Sequence, residues 1–433
     1  MAPKIKFKED VREILKSSQK ELRERFEEID KIKEINQEKV LQAFLDNKIG
    51  EEHFYTVTGY GHDDIGREAL DKVFAQVFKA EKAIVRPHFV SGTHTIACVL
   101  FGILRMQDVL MSAIGTPYDT LAEIIGHKTK TKESLWGHGV DYVEVPLIGG
   151  ELVDFGAIAR RITPKTKLVL IQRSKGYDLR PSVTIDQIGK ICQLVKKENP
   201  ETVCFVDNCY GEFVEDKEPL EVGADIIAGS LIKNPGGGIV EAGGYIAGRE
   251  DLVNLCSARL TAPGIYEHGG AMFNQTRIML QGIFMAPSIV AEAHKGAVLA
   301  AKAFESIGIK TYPRSREKRT DLIQGLKLED PELQKVFCKA LQKYSPIDSY
   351  LTPIPDDVPG YDNKLIMAGG SFIEGSTIEL SADGPMREPY AVYLQGGLNY
   401  AHVKIALRGV LEELKMLLYL LEKLEEFLMG ISK

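Results

Sequence analysis

The sequence predicts an α/β protein with a large domain on a mostly parallel sheet and a smaller C-terminal α+β domain. Three observations carry this. Between Ile84 and Gly248 seven short apolar runs recur: AIVRPHFV, DVLMSAIG, VDYVEVPL, KLVLIQRS, VCFVD, ADIIA and GGYIAG. Most are separated by amphipathic helical stretches, the pattern of a sheet covered on both faces. From Pro287 to Ile307 the chain reads as one long helix leading out of that region, and the remainder of the chain mixes short strands with helices.

Each element has a local cause. Residues from about Glu9 to Ile49 are helical in period, with Val11, Ile14, Leu15, Leu22, Phe26 and Ile29 on one stripe. They form a helical arm over residues 1–62. The large domain then covers 63–290, and the interdomain helix with the small domain 291–433. One helix of the large domain is well punctuated. Thr184 and Gln187 make a capping box, Ile188, Ile191, Leu194 and Val195 supply its apolar face, and Pro200 stops it. The chain ends in an apolar helix from Val410 to Leu428, too interrupted by Glu and Lys for a membrane span, so core packing is expected of it.

Composition narrows the function classes. At 433 residues, two to three domains fit, and the net charge of −7 gives no electrostatic case for nucleic acid. The N-terminal stretch MAPKIKFKEDVREILKSS lacks the apolar core of a secretory signal. Six cysteines, scattered without a CxxC pair, read as reduced thiols of a cytoplasmic protein.

Ligands of such sheets bind beyond the carboxyl ends of the strands. Asp207 ends the run VCFVD, and Lys233 comes after ADIIA, before a glycine cluster. Parallel strands would bring both to one edge. A lysine and a carboxylate placed so suit pyridoxal phosphate, the lysine as Schiff base and the carboxylate holding the pyridine nitrogen protonated. Taken singly, each residue also fits a turn or a cap.

Three further segments converge on that edge. Ser91, Gly92, Thr93 and His94 open a helix after a strand, offering backbone N–H groups to a phosphate; an ordinary helix cap is the alternative. Ser230, three residues before Lys233, could add a hydroxyl. Tyr118, in GTPYD, could stack on a ring or simply pack its loop. The segment GYGHDD lacks GxGxxG spacing and does not come after a strand, so it is no dinucleotide fingerprint. His62, Asp63, Asp64, His88 and His94 show no metal-ligand spacing, and no metal is expected.

The order GYGHDDIGRE, VSGTHT, GTPYDTL, VDNCYGEF, SLIKNPGGG and EGSTIELSADGPMREPY resembles the aluminium-resistance, or methionine gamma-lyase-like, family. That family is similar to the cystathionine gamma-synthase and lyase group of fold type I pyridoxal phosphate enzymes. The resemblance implies Lys233 as the Schiff-base lysine, Asp207 as the pyridinium partner and Tyr118 as the ring-stacking residue. It implies a phosphate held by Gly92, Thr93 and Ser230, with Tyr60 and Arg67 reaching the phosphate of a neighbouring subunit. It thereby implies a homodimer or homotetramer with shared active sites. The chain departs from the wider group at Ile232, where that group has Thr, and at QRSKGYDLRPS, where it has Asn-Pro. For the substrate carboxylate Arg387 is the candidate and Arg173 the rival.

The implied activity is cleavage of a carbon–sulfur bond in an amino acid, of the cystathionine beta-lyase or methionine gamma-lyase type. The alternatives are another pyridoxal phosphate reaction on the same fold, aldol cleavage or transfer, and a non-catalytic cofactor-binding regulator.

Overall fold

The structure is a computed structural model that describes residues 5–358 and 361–431. By backbone contacts the chain divides into two compact units. One comprises residues 30–291 with 319–322. The other comprises 1–29, 292–318 and 323–433. The arm expected as a separate element over 1–62 is therefore split between the two. Its helices are α1 (Val11–Glu21), capped by Asp10, and α2 (Arg23–Asp46). Val11, Ile14, Leu15, Leu22 and Ile29 of the apolar stripe are buried.

The larger unit is α/β. It contains α3 (Ile65–Phe78), β1 (Lys82–Arg86), α4 (Gly92–Ile103), β2 (Val109–Ser112), α5 (Asp119–Ile125) and β3 (Asp141–Glu144). Next come α6 (Phe155–Arg161), β4 (Thr166–Gln172), α7 (Ile185–Glu198), β5 (Val203–Asp207), β6 (Ile226–Ser230), β7 (Gly244–Gly248) and α8 (Glu250–Leu260). All seven apolar runs became strands. They lie in the order β1-β7-β6-β5-β4-β2-β3. From β6 to β3 all neighbours are parallel; β7 alone runs antiparallel, to both β1 and β6. The central strands β4, β5 and β6 are almost wholly buried, because helices cover both faces. The capping box of Thr184 and Gln187 forms as expected and starts α7.

Helix α9 (Thr276–Ser306) runs across the division at residue 291. The smaller unit holds β8 (Lys310–Tyr312), β9 (Gln324–Lys327), α10 (Pro331–Gln342), β10 (Leu365–Ala368), β11 (Ser381–Pro385), β12 (Ala391–Gln395) and α11 (Tyr400–Ile431). Its sheet is antiparallel throughout, ordered β10-β11-β12-β9-β8. Asp330 caps α10 by accepting from the N–H groups of Glu332 and Leu333. Core packing of α11 holds as far as Leu414; Leu421 and Leu424, expected in the core, are exposed.

Candidate active site

The register of the parallel strands assembles the site. Gln172 pairs with Asp207, and Asp207 with Ala228, so β4, β5 and β6 end at one edge. Gly244 faces both Arg86 and Ser230, which brings the end of β1 to that edge as well. The segments after β1, β2, β4, β5 and β6 all open there, as sheet topology requires of a ligand site.

Lys233 lies three residues beyond β6, half-buried, with its Nζ 4.1 Å from the centroid of the Tyr210 ring. Asp207 is buried, and its carboxylate accepts from the Cys209 N–H at 3.2 Å. Burial pushes the Asp207 carboxyl up, while the Lys233 ammonium works against that shift. Burial opposes the charge on Lys233 in turn, but the groups at Cys209, Tyr210, Asp207 and Glu212 outweigh it and hold the ammonium above its usual range. Cys209 is itself pushed upward by burial and stays a neutral thiol, so at neutral pH Asp207 supplies the attraction.

Ser91 caps α4 by accepting from the His94 N–H at 3.1 Å, and the Val90 N–H donates to His94 Nδ1. The N–H groups of Gly92 and Thr93, in the first turn, have no acceptor within the helix. A side chain at Gly92 would place its Cβ 3.1 Å from Ser230 Cβ, which only glycine avoids without displacement. The Ser230 hydroxyl is buried and makes no hydrogen bond. A buried hydroxyl with no acceptor costs about 1–3 kcal/mol. A phosphate seated at this helix start would relieve it. The residues present thus fit a phosphate, a lysine-bound aldehyde and a protonated ring nitrogen, the three handles of pyridoxal phosphate.

Tyr118 precedes α5. Its N–H donates to Gln172 Oε1 at 3.1 Å, which fixes the loop after β2 to the end of β4. Tyr60 is 80 % exposed, lifted by Gly59 and Gly61, both with positive φ. Its carbonyl accepts from Gly270 N–H, and its ring stacks on His62.

Two of the expected arginines are engaged elsewhere. Arg67 is buried and donates to the carbonyls of Gly270 at 2.9 Å and His268 at 3.2 Å in its own chain. These contacts hold both Nη groups within its own chain, while Nε has no hydrogen-bond partner. Arg173 is fully buried. Its Nη1 donates to Asn208 Oδ1 at 2.7 Å, Nε to Thr320, and the guanidinium pairs with Glu215 and Glu218. Through these contacts it braces the turn after β5. Arg387 is exposed in the turn between β11 and β12 of the smaller unit.

Asn208, Glu212, Glu215 and Glu218, downstream of Asp207, form a buried polar network that sequence reading did not find. Glu212 accepts from the Tyr245 hydroxyl at 2.9 Å, and Asn208 donates to Glu218 at 3.0 Å. Burial, reinforced by Glu218, pushes the Glu212 carboxyl up to about 8. Asn234, next to Lys233, donates to the Glu212 carbonyl. The run GEFVED carries three acids, and nothing local in it signals burial. Among the described residues no group of three or more His, Cys, Asp or Glu is arranged to hold a metal ion.

Residues 11–415 match the sequence pattern of the family described as Methionine gamma-lyase. The chain belongs to the methionine gamma-lyase family. YnbB of Bacillus subtilis, an uncharacterized protein, is 47 % identical over 388 residues, covering 89 % of this chain and 92 % of its own. A Listeria monocytogenes structure, provisionally named a cystathionine beta-lyase involved in aluminum resistance, is 50 % identical. It superposes with a TM-score of 0.91 over 93 % of this chain and 99 % of its own. A Clostridium novyi structure named carbon-sulfur lyase involved in aluminum resistance is 45 % identical, with a TM-score of 0.90 over 93 % and 96 % of the two chains. More distant is a methionine gamma lyase of Micromonospora echinospora, 15 % identical with a TM-score of 0.55 over 81 % and 87 %. It shares the fold. This family member therefore carries the mostly parallel sheet of the fold type I lyases.

Proposed function

We propose that the protein is a pyridoxal phosphate-dependent lyase that breaks a carbon–sulfur bond in a sulfur-containing amino acid, as cystathionine beta-lyase or methionine gamma-lyase does. The observation that carries the proposal is the shared edge of Lys233 and Asp207 beside the unpaired Ser230 hydroxyl at the start of α4. The family supports it.

Lys233 would hold the cofactor, with Asp207 on its ring nitrogen, Tyr118 on its ring face, and Gly92, Thr93 and Ser230 on its phosphate. Bound there, the cofactor would supply an electron sink for the charge that develops at the substrate Cα. Lys233 Nζ would be the group placed to accept the Cα proton. The carbon–sulfur bond then breaks with its electron pair leaving on sulfur, and Lys233 is the proton donor at hand for the thiolate. Asp207 acts throughout as a fixed negative charge: buried, it cannot be screened by water. Tyr60, exposed at the surface of its own chain, would complete the site of a second subunit in a homodimer or homotetramer. The cysteines are free and buried, and the proposal places the enzyme in the cytoplasm. Among the described residues no helix is long and apolar enough to cross a membrane.

The test is product analysis. The purified protein with its cofactor is offered L-cystathionine, L-methionine and L-cysteine, and thiol, keto acid and ammonia are measured. Release of all three from one substrate supports the proposal. Acetaldehyde released from L-threonine, offered in parallel, points to aldol cleavage, and absence of any turnover points to a binding protein.

A further inference from the structure

Helix α11 keeps its apolar face beyond the point where the fold covers it. Val403, Ala406, Leu407, Val410, Leu411 and Leu414 are buried. Past them, Met416, Leu420, Leu421, Leu424 and Phe427 are between 46 % and 65 % exposed, and Leu417 is half-buried. At about 3.6 residues per turn these side chains fall on one side of the helix, within an arc of about 140°. The opposite side carries Glu412, Lys415, Glu422, Lys423 and Glu426, all exposed. A contiguous apolar stripe left in water marks an interaction surface. The residues matched to the family pattern end at 415, one residue before the stripe, and nothing in the lyase reading uses it.

The order of these residues says what fits them. Leu417, Leu420, Leu424 and Phe427 are spaced three, four and three residues apart, the heptad spacing of a helix seam. That spacing reads the same from either end. A second copy laid antiparallel about a two-fold axis at residue 422 therefore sets Leu417 against Phe427 and Leu420 against Leu424, each pair occurring twice. The charges of the opposite side stay clear of such a seam, and Lys423 is already paired with Glu426 of its own helix at 2.7 Å. The area is sufficient. The apolar side chains, about half exposed, offer on the order of 500 Å² per copy, or about 1,000 Å² per pair, the size at which specific interfaces begin. A membrane surface fits less well. Helices that lie on anionic lipid carry a basic polar face, whereas this one sets Glu412, Glu422 and Glu426 against Lys415 and Lys423.

We propose that residues 416–427 of α11 are a self-association surface on which a second copy of the chain docks antiparallel, Leu420 of one copy against Leu424 of the other. The proposal goes beyond the lyase reading and does not depend on it, because the segment contains no residue assigned to the cofactor and excludes Tyr60. Each copy buries Leu420, Leu424 and Phe427 in the seam and leaves Glu422 and Glu426 in water. A charge placed in the seam breaks it without touching the packed part of α11, which ends at Leu414.

The experiment uses the full chain with its cofactor. Molar mass is measured by light scattering over a dilution series, for the wild type and for a variant carrying both Leu420→Glu and Leu424→Glu. At high concentration the wild type should have about twice the mass of the variant, with equal cofactor absorbance per chain. If the variant does not fold, cysteine pairing decides. The six native cysteines are buried. Leu420→Cys and Leu424→Cys chains, mixed dilute and then concentrated under oxidised glutathione, should give a covalent dimer that neither gives alone. An unchanged mass in the Glu variant overturns the proposal, and so does a mixture that yields no covalent dimer. A covalent dimer from either chain alone means a parallel seam and overturns it as well. Sedimentation of the wild type with phosphatidylglycerol vesicles, lost in the Glu variant, assigns the stripe to a lipid surface instead.

Discussion

Lys233 Nζ sits 4.1 Å from the centroid of the Tyr210 ring, and Tyr210 holds a left-handed backbone with φ of 70° to put it there. A non-glycine residue in that region costs about 1–2 kcal/mol, which the network around Glu212 and Asn208 must offset. The ring face favours the ammonium by about 1–2 kcal/mol. In the cofactor-free protein Tyr210→Ala should therefore lower the Lys233 pKa by about one unit, while Tyr210→Phe should not. The pH dependence of Lys233 acylation, followed by peptide mass spectrometry, checks this; an unshifted Ala variant removes the ring from the account.

Ser230→Ala should act with opposite signs on two measurements. The hydroxyl is buried with no partner, so its removal should stabilise the cofactor-free protein by about 1 kcal/mol. It should weaken cofactor retention by a similar amount, since a phosphate contact is lost. Thermal unfolding without cofactor and equilibrium dialysis with pyridoxal phosphate read the two effects. Destabilisation of the cofactor-free protein would mean that the hydroxyl is satisfied after all.

Much of this was legible in the sequence. Seven strands, the lysine, the aspartate and the helix start each have a local signature: an apolar run, a glycine cluster, a capping serine. The single antiparallel strand β7 was not, because GGYIAG reads the same in either direction of pairing. The fates of Arg67 and Arg173 were also hidden. Arg67 meets carbonyls on the distant segment of His268 and Gly270, and Arg173 meets acids beyond the next strand, and sequence spacing carries no trace of either.

Glu212 makes stability depend on pH. Its carboxyl rises from an ordinary 4.5 to about 8 on folding. A raised acid contributes fully below its unfolded pKa, and that contribution is lost as pH climbs to the folded value. At about 1.4 kcal/mol per unit the wild type should lose a few kcal/mol from this group as pH climbs from 4.5 to about 8. Glu212→Gln imitates the protonated acid and should flatten that stretch. Urea unfolding of both proteins at several pH values across that window tests it; parallel curves would show that Glu212 is ionised in the folded state throughout.

Tyr60 is exposed on its own chain, and we propose that it works on its neighbour's site. Tyr60→Phe and Lys233→Ala subunits should each be weak or inactive alone. Hybrids should recover activity, since one site in each mixed pair carries neither lesion. Proven subunit exchange without recovery would place Tyr60 outside the site or within its own chain.

The most direct test of the central claim is where the cofactor is attached. The protein with pyridoxal phosphate is reduced with borohydride, digested and mapped. The pyridoxyl group is expected on Lys233, in the peptide just after β6, and Lys233→Ala should lose both the label and the yellow colour. A label on Lys175 or any other lysine, or no label at all, would contradict the account.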